Sequence, residues 1–184
     1  MDHGVGVPLV VSPTSLSSLQ FTLSVLIFSL VAKWYIAPAL NKLEPYRALV
    51  PLFLVHTLRY LPSTAFAPGQ IGSDVPMQAM SRIAYGDLMS AILAVVAVMF
   101  LRYRWPGALP VAWAVNIVAS LDWLYASFLA TSNQLINHFL GGNWYIVHYY
   151  VPVIGVIHVM IFTRLLQVDS RRRPLMAATL TKPQ

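Results

Sequence analysis

Six ionisable side chains stand inside stretches that are otherwise apolar: His56, Arg59, Asp87, Asp122, His148 and His158. At mid-bilayer such a group costs on the order of 2.5–3.5 kcal/mol on insertion scales, so each calls for a partner or a task. Arg59 does not lose its proton in practice and seeks a carboxylate, which Asp87, Asp122 or both can supply. Asp87 and Asp122 are the candidate proton-handling or ligand-polarising groups. Arg59 would set their charge, and His56 and His148 would bind ligand or shuttle a proton. A buried Arg–Asp pair that only locks helices together is the competing reading, at roughly even weight.

Spacing adds further candidates. His56, Arg59 and Tyr60 stand at i, i+3 and i+4 and share one face of an α-helix. Tyr85 and Gly86 precede Asp87, and Ser90, Ala91 and Ala94 follow it on its face, leaving room for close helix approach or for a ligand. Asn116 and Ser120 share a face from which Asp122 is turned by about a third of a turn. That helix therefore offers polar groups to two neighbours. Pro152 cannot donate to the carbonyl of His148 and should kink the helix there. Asn116, Tyr60 and Tyr85 are candidate ligand contacts. His56 and His158, at broadly similar depth on different helices, make bis-histidine ligation of haem b geometrically conceivable. No glutamate lies in any apolar stretch, so a dinuclear carboxylate centre has no support. Phosphate loops, a Gly-x-Ser-x-Gly elbow and His-Glu-x-x-His are absent from the sequence.

The elements that must hold these groups follow from composition. Of 184 residues 58% are hydrophobic and 10% charged, where a soluble domain carries about 25% charged. The expectation is an all-α polytopic membrane protein, a single bundle of about five transmembrane helices. The spans are placed at about 16–37, 46–66, 83–100, 108–130 and 144–166, each near the 20 or so residues that cross the hydrocarbon. The transmembrane domain fills residues 1–167, and a basic cytoplasmic tail occupies 168–184. The second span is the weakest, since it starts near Arg47 and holds His56 and Arg59; a re-entrant segment is its alternative.

Lys42, Arg47, Arg102, Arg104, Arg164, Arg171, Arg172, Arg173 and Lys182 gather at one end of the spans, which places that end in the cytoplasm and the N-terminus outside. The net charge of +6 lies at span ends rather than along one polar face, which argues against nucleic acid as a partner. The expected partners are the lipid bilayer, a small lipophilic ligand and further copies of the chain. The expected location is the bacterial inner membrane. Trp34, Tyr35, Tyr103, Trp105, Trp144 and Tyr145, close to span ends, read as interfacial anchors. The absence of cysteine excludes disulfides and thiol chemistry. Met1–Ser12 has no basic leader region and does not read as a cleaved signal.

Tyr85-Gly86-Asp87-Leu88, Asn116 with Asp122, Trp144-Tyr145, Tyr150-Val151-Pro152 and His158 resemble the pattern of a group of uncharacterised bacterial multi-pass membrane proteins. The resemblance covers about residues 46–167 and implies a helical membrane bundle, but no activity. A fainter likeness, in size, helix count and buried polar residues only, is to styrene oxide isomerase, a haem-b-binding membrane enzyme. No histidine motif matches, so no site residue carries over. The leading expectation is a buried polar pocket in the outer half of the bundle that binds or converts a small lipophilic molecule, in the manner of an isomerase or hydrolase. A proton-coupled transporter or channel subunit, a haem protein and a purely structural bundle are the alternatives.

Overall fold

A computed structural model of the chain describes the backbone of residues 12–180 and the side chains of residues 12–170. The reading of Met1–Ser12 as uncleaved therefore lies, Ser12 apart, outside the described residues. So do the side chains of Arg171, Arg172, Arg173 and Lys182. No strand occurs among the described residues.

Helix α1 spans Pro13–Asn41. Ser12 caps it, its hydroxyl accepting from the Ser15 amide at 3.1 Å, and Pro13 fills the first turn, where no amide partner is needed. Helix α2 is Pro45–His56, which continues without a break as a 3₁₀ segment, Thr57–Phe66. Helix α3 is Met77–Tyr103 and ends on Arg104 in the left-handed conformation. Gly107, at φ 85°, turns the chain into α4, Ala108–Ser132. Helix α5 begins at Asn143, and its backbone stays helical to Leu180, through the stretch expected to be a tail.

Four of these, α1, α3, α4 and the Asn143–Ser170 part of α5, are long and apolar enough to cross a membrane. The second segment, expected as a further span, is not one of these four. Its α-helical part stops after 12 residues, and its remaining 10 residues wind as 3₁₀. Pro62 lies within the 3₁₀ stretch, whereas Pro51 is accommodated within the α-helical part.

Two π-turns interrupt the long helices, at Ala32–Ile36 and Ile146–Tyr150. Each ends two residues before a proline, Pro38 and Pro152, where the regular ladder loses its amide donor. Near Pro152, where a kink is expected, the helix carries an inserted residue.

Helices α3 and α4 approach closely along Ala84, Ala91, Ala94 and Ala97 on one side and Ala108, Ala112 and Ala119 on the other, all buried. Leu49, Leu52, Phe53, Ile157, Ile161 and Leu165 complete that core from α2 and α5. At one end of the bundle Arg104 pairs with Glu44, and Arg164 donates to Asn41 Oδ1 at 2.7 Å and the Ala37 carbonyl at 2.8 Å. At the other end the loops 67–76 and 133–142 clasp each other. The Gly72 amide donates to the Phe139 carbonyl at 2.8 Å, and His138 meets Asp74 at 2.7 Å. Trp34, Tyr35, Tyr103, Trp105 and Tyr145 face outward. Trp144 instead packs inward and donates to Gln20 Oε1 of α1 at 3.0 Å.

Candidate functional site: a buried arginine with two carboxylates, and an adjoining cavity

The change of winding after His56 decides which side chains enter the bundle. With three residues per turn, positions three apart eclipse, and His56, Arg59, Pro62 and Ala65 are all buried in one row. Arg59 is 1% exposed, whereas Tyr60 is 47% exposed. The expected shared face of His56, Arg59 and Tyr60 is therefore corrected: in 3₁₀ geometry Tyr60 stands about 120° from His56. Tyr85 is also turned outward, 63% exposed, with its ring 5.4 Å from Phe66.

Arg59 spends its guanidinium on three partners. Nε donates to Asp87 Oδ1 at 2.7 Å, Nη2 to Asp122 Oδ2 at 2.7 Å and Nη1 to the carbonyl of Ala119 at 2.8 Å. Ser90 Oγ donates to the same Asp122 oxygen at 2.9 Å. One arginine thus joins α2, α3 and α4. Gly86 makes the join possible, because a Cβ there would overlap Asp122 Oδ1. By charge count, two carboxylates against one guanidinium leave one unit of negative charge or one bound proton. Tyr150 of α5 closes the neighbourhood, donating to the Val55 carbonyl at 2.8 Å.

The other face of α4 makes a separate polar set, as the spacing of Asn116, Ser120 and Asp122 anticipates. His158 Nδ1 lies 2.8 Å from Asn116 Oδ1 and 2.9 Å from Ser120 Oγ. The His56 and His158 rings touch, with centroids 4.4 Å apart. Neither nitrogen of His56 nor Nε2 of His158 has a hydrogen-bond partner among the described residues. Axial ligation of one haem holds two imidazoles on opposite sides of a macrocycle. Rings in direct contact leave no slot for it, so this pair does not fit a shared haem. No cluster of three or more His, Asp or Glu able to hold a metal ion occurs among the described residues.

His148 does not join the carboxylates. It sits between α1 and α5, where Nδ1 meets the Trp144 carbonyl at 2.6 Å and Nε2 meets Ser17 Oγ at 2.7 Å. The Trp144 ring packs on the imidazole with centroids 4.2 Å apart. Ser17 and its neighbour Gln20 escaped notice in the sequence, since neutral polar residues are common in the Ser-rich first helix. Their i, i+3 spacing toward one partner helix was the available signal.

The Arg59 cluster and the Ser17–His148 pair border one cavity of about 410 Å³, through Arg59, Asp87 and Ser17. Arg59, Asp87, Ser17, Asn143 and Tyr150 lie on its wall among mostly apolar side chains such as Met80, Leu135 and Ile154. A second, larger space of about 690 Å³ lies between α1, α4 and α5 toward the Arg164 end. Trp123 borders both, its ring accommodated by Gly155, where a Cβ would stand 3.1 Å from Cζ2. The larger space touches Ser120 and His158 but neither carboxylate. The smaller one is therefore the candidate site.

A family model matches residues 16–166, nearly the whole described bundle. The chain belongs to the family described as Domain of unknown function (DUF8737). No curated protein and no solved structure matches it.

Proposed function

We propose that the chain is a membrane-embedded binding protein for a small lipophilic molecule carrying one polar group. The cavity of about 410 Å³ would take the apolar body, within the 300–1,000 Å³ typical of small-molecule sites. Arg59 and Asp87 would take the polar group. The observation that carries this reading is that a buried charge cluster reaches the wall of an apolar cavity. Of the two carboxylates, only Asp87 lines that cavity, so the cluster turns one acid and the arginine toward the space. Asp122 then holds Arg59 from the far side while Asp87 meets the ligand.

In this reading the bundle lies in the cytoplasmic membrane with the Arg104 and Arg164 end inward. The second segment crosses as well, since its 12 α-helical and 10 3₁₀ residues extend to roughly 38 Å at 1.5 and 2.0 Å per residue.

Native mass spectrometry of the extracted protein, followed by identification of any copurified small molecule, tests the proposal. Ala130→Phe, which fills the cavity, should abolish retention of that molecule, and Asp87→Asn should weaken it at least tenfold. Retention undiminished in Ala130→Phe would exclude the cavity as the site.

A further inference from the structure

We infer that Ser17 and His148 form a nucleophile–base pair that cleaves a carboxylic ester bound in the cavity beside Arg59. The inference rests on the binding reading above and adds a reaction to it.

The hydrogen-bond directions are fixed by chemistry. A carbonyl only accepts, so His148 Nδ1 carries the proton that it donates to Trp144 across 2.6 Å. Nε2 is then the basic nitrogen, and the Ser17 hydroxyl must donate to it across 2.7 Å. Nucleophile, base and orienting acceptor stand in the order that activates a hydroxyl. The imidazole is held twice by Trp144, through its carbonyl and through its ring, and the Trp144 indole is tied to Gln20, one turn along α1 from Ser17. Ser17 lies on the cavity wall although only 7% exposed, so the apolar body of a substrate and the reacting hydroxyl meet in one space.

Asn143 supplies the remaining part. It is buried, lies on the same wall, and its Nδ2 has no acceptor among the described residues. Thr64 Oγ1 donates to Asn143 Oδ1 at 3.5 Å, which leaves the amide hydrogens as the unused side of the group. An orphaned donor on the cavity wall that Ser17 also lines would stabilise charge developing on a carbonyl oxygen bound there.

The reaction balances with water as the second reactant. Ser17 Oγ bonds to the ester carbonyl carbon, its proton passes to His148 Nε2, and the carbonyl electron pair moves onto oxygen near Asn143 Nδ2. Collapse breaks the bond to the alkoxy group, which takes the proton from Nε2 and leaves as the alcohol. Water then adds to the Ser17 ester, giving its proton to Nε2. Ser17 Oγ leaves with that proton, and the carboxylic acid departs. Nothing is oxidised or reduced.

The test uses the full chain in detergent micelles with hexadecylfluorophosphonate as the covalent probe. Intact-mass and peptide analysis should find one adduct, on Ser17. His148→Gln should slow its formation about 100-fold or more, and Asn143→Ala should slow p-nitrophenyl octanoate hydrolysis about 100-fold. Since the chain has no cysteine, Ser17→Cys gives an independent measure. Its alkylation by iodoacetamide should slow when His148→Gln is added, and an unchanged rate would count against a base at His148. The ketone 2-decanone reports the cavity separately, by a rise in melting temperature that Ala130→Phe removes. Protein that is stabilised by 2-decanone yet gains no adduct on Ser17 would overturn the catalytic pair and leave the binding reading standing. Protein neither stabilised nor labelled would overturn both.

Discussion

The carboxylate of Asp122 occupies the space that a side chain at Gly86 would fill. The two residues belong to α4 and α3, and Asp122 cannot simply swing away, because Arg59 and Ser90 both hold Oδ2. Gly86→Ala should therefore displace a pinned group and destabilise the bundle by about 1–3 kcal/mol, the usual range for overpacking. Unfolding in mixed micelles measures this. In a double-mutant cycle, Gly86→Ala should cost much less in the presence of Asp122→Ala, and strict additivity would exclude the interlock.

Arg59 is the only cation holding Asp87 and Asp122 among the described residues. Arg59→Leu strands two carboxylates and should destabilise by about 3–5 kcal/mol. Arg59→Lys keeps the charge but loses the planar fork that reaches two carboxylates and the Ala119 carbonyl together, so it should restore only part of the loss. Full restoration by lysine would mean that charge alone matters here.

The winding of residues 57–66 is directly measurable. Spin labels placed singly along the segment should show least oxygen collision at positions 59, 62 and 65, with a repeat of three. A repeat of 3.6, with position 60 as protected as 59, would require a continuous α-helix instead.

The loop clasp should respond to acid. The hydrogen bond from His138 holds the Asp74 carboxyl below its usual range, with a smaller contribution from its own backbone amide. A carboxyl lowered on folding stabilises the folded state above its unfolded value and loses that contribution as pH falls through the folded one. Amide exchange at Gly72 should therefore accelerate as the pH drops from about 4, near the ordinary 3.8 of this group, beyond the intrinsic pH dependence of exchange. In Asp74→Asn that acceleration should vanish, the clasp being loosened at every pH.

Parts of this architecture were readable because the membrane makes them costly to arrange otherwise. A permanently charged Arg59 in an apolar run demanded a carboxylate, and only Asp87 and Asp122 stood at comparable depth. The split of α4 into an Asp122 side and an Asn116–Ser120 side followed from 100° per residue. Azimuth was less legible than depth. Which neighbour His148 faces depends on the π-turn at Ile146–Tyr150, whose extra residue changes the phase of the helix. Tyr60 shares the face of His56 and Arg59 only in α-helical winding; in the 3₁₀ stretch the i, i+3 and i, i+4 positions part company. Ser17 carries no charge and therefore no insertion penalty large enough to draw attention.

Helix α1 is fastened to α5 near its two ends, by Ser17 and Gln20 at one and by Ala37 and Asn41 at the other. Between these fastenings Leu19, Leu23, Leu26 and Ile27 look outward, and both cavities border Phe21. In the proposed binding reading, a solute already dissolved among acyl chains would meet this seam sideways, without passing through the aqueous boundary. For such a solute, occupancy is governed by its partition into the bilayer rather than by its concentration in water, so titrations against total aqueous concentration would understate how weakly the protein itself has to hold it.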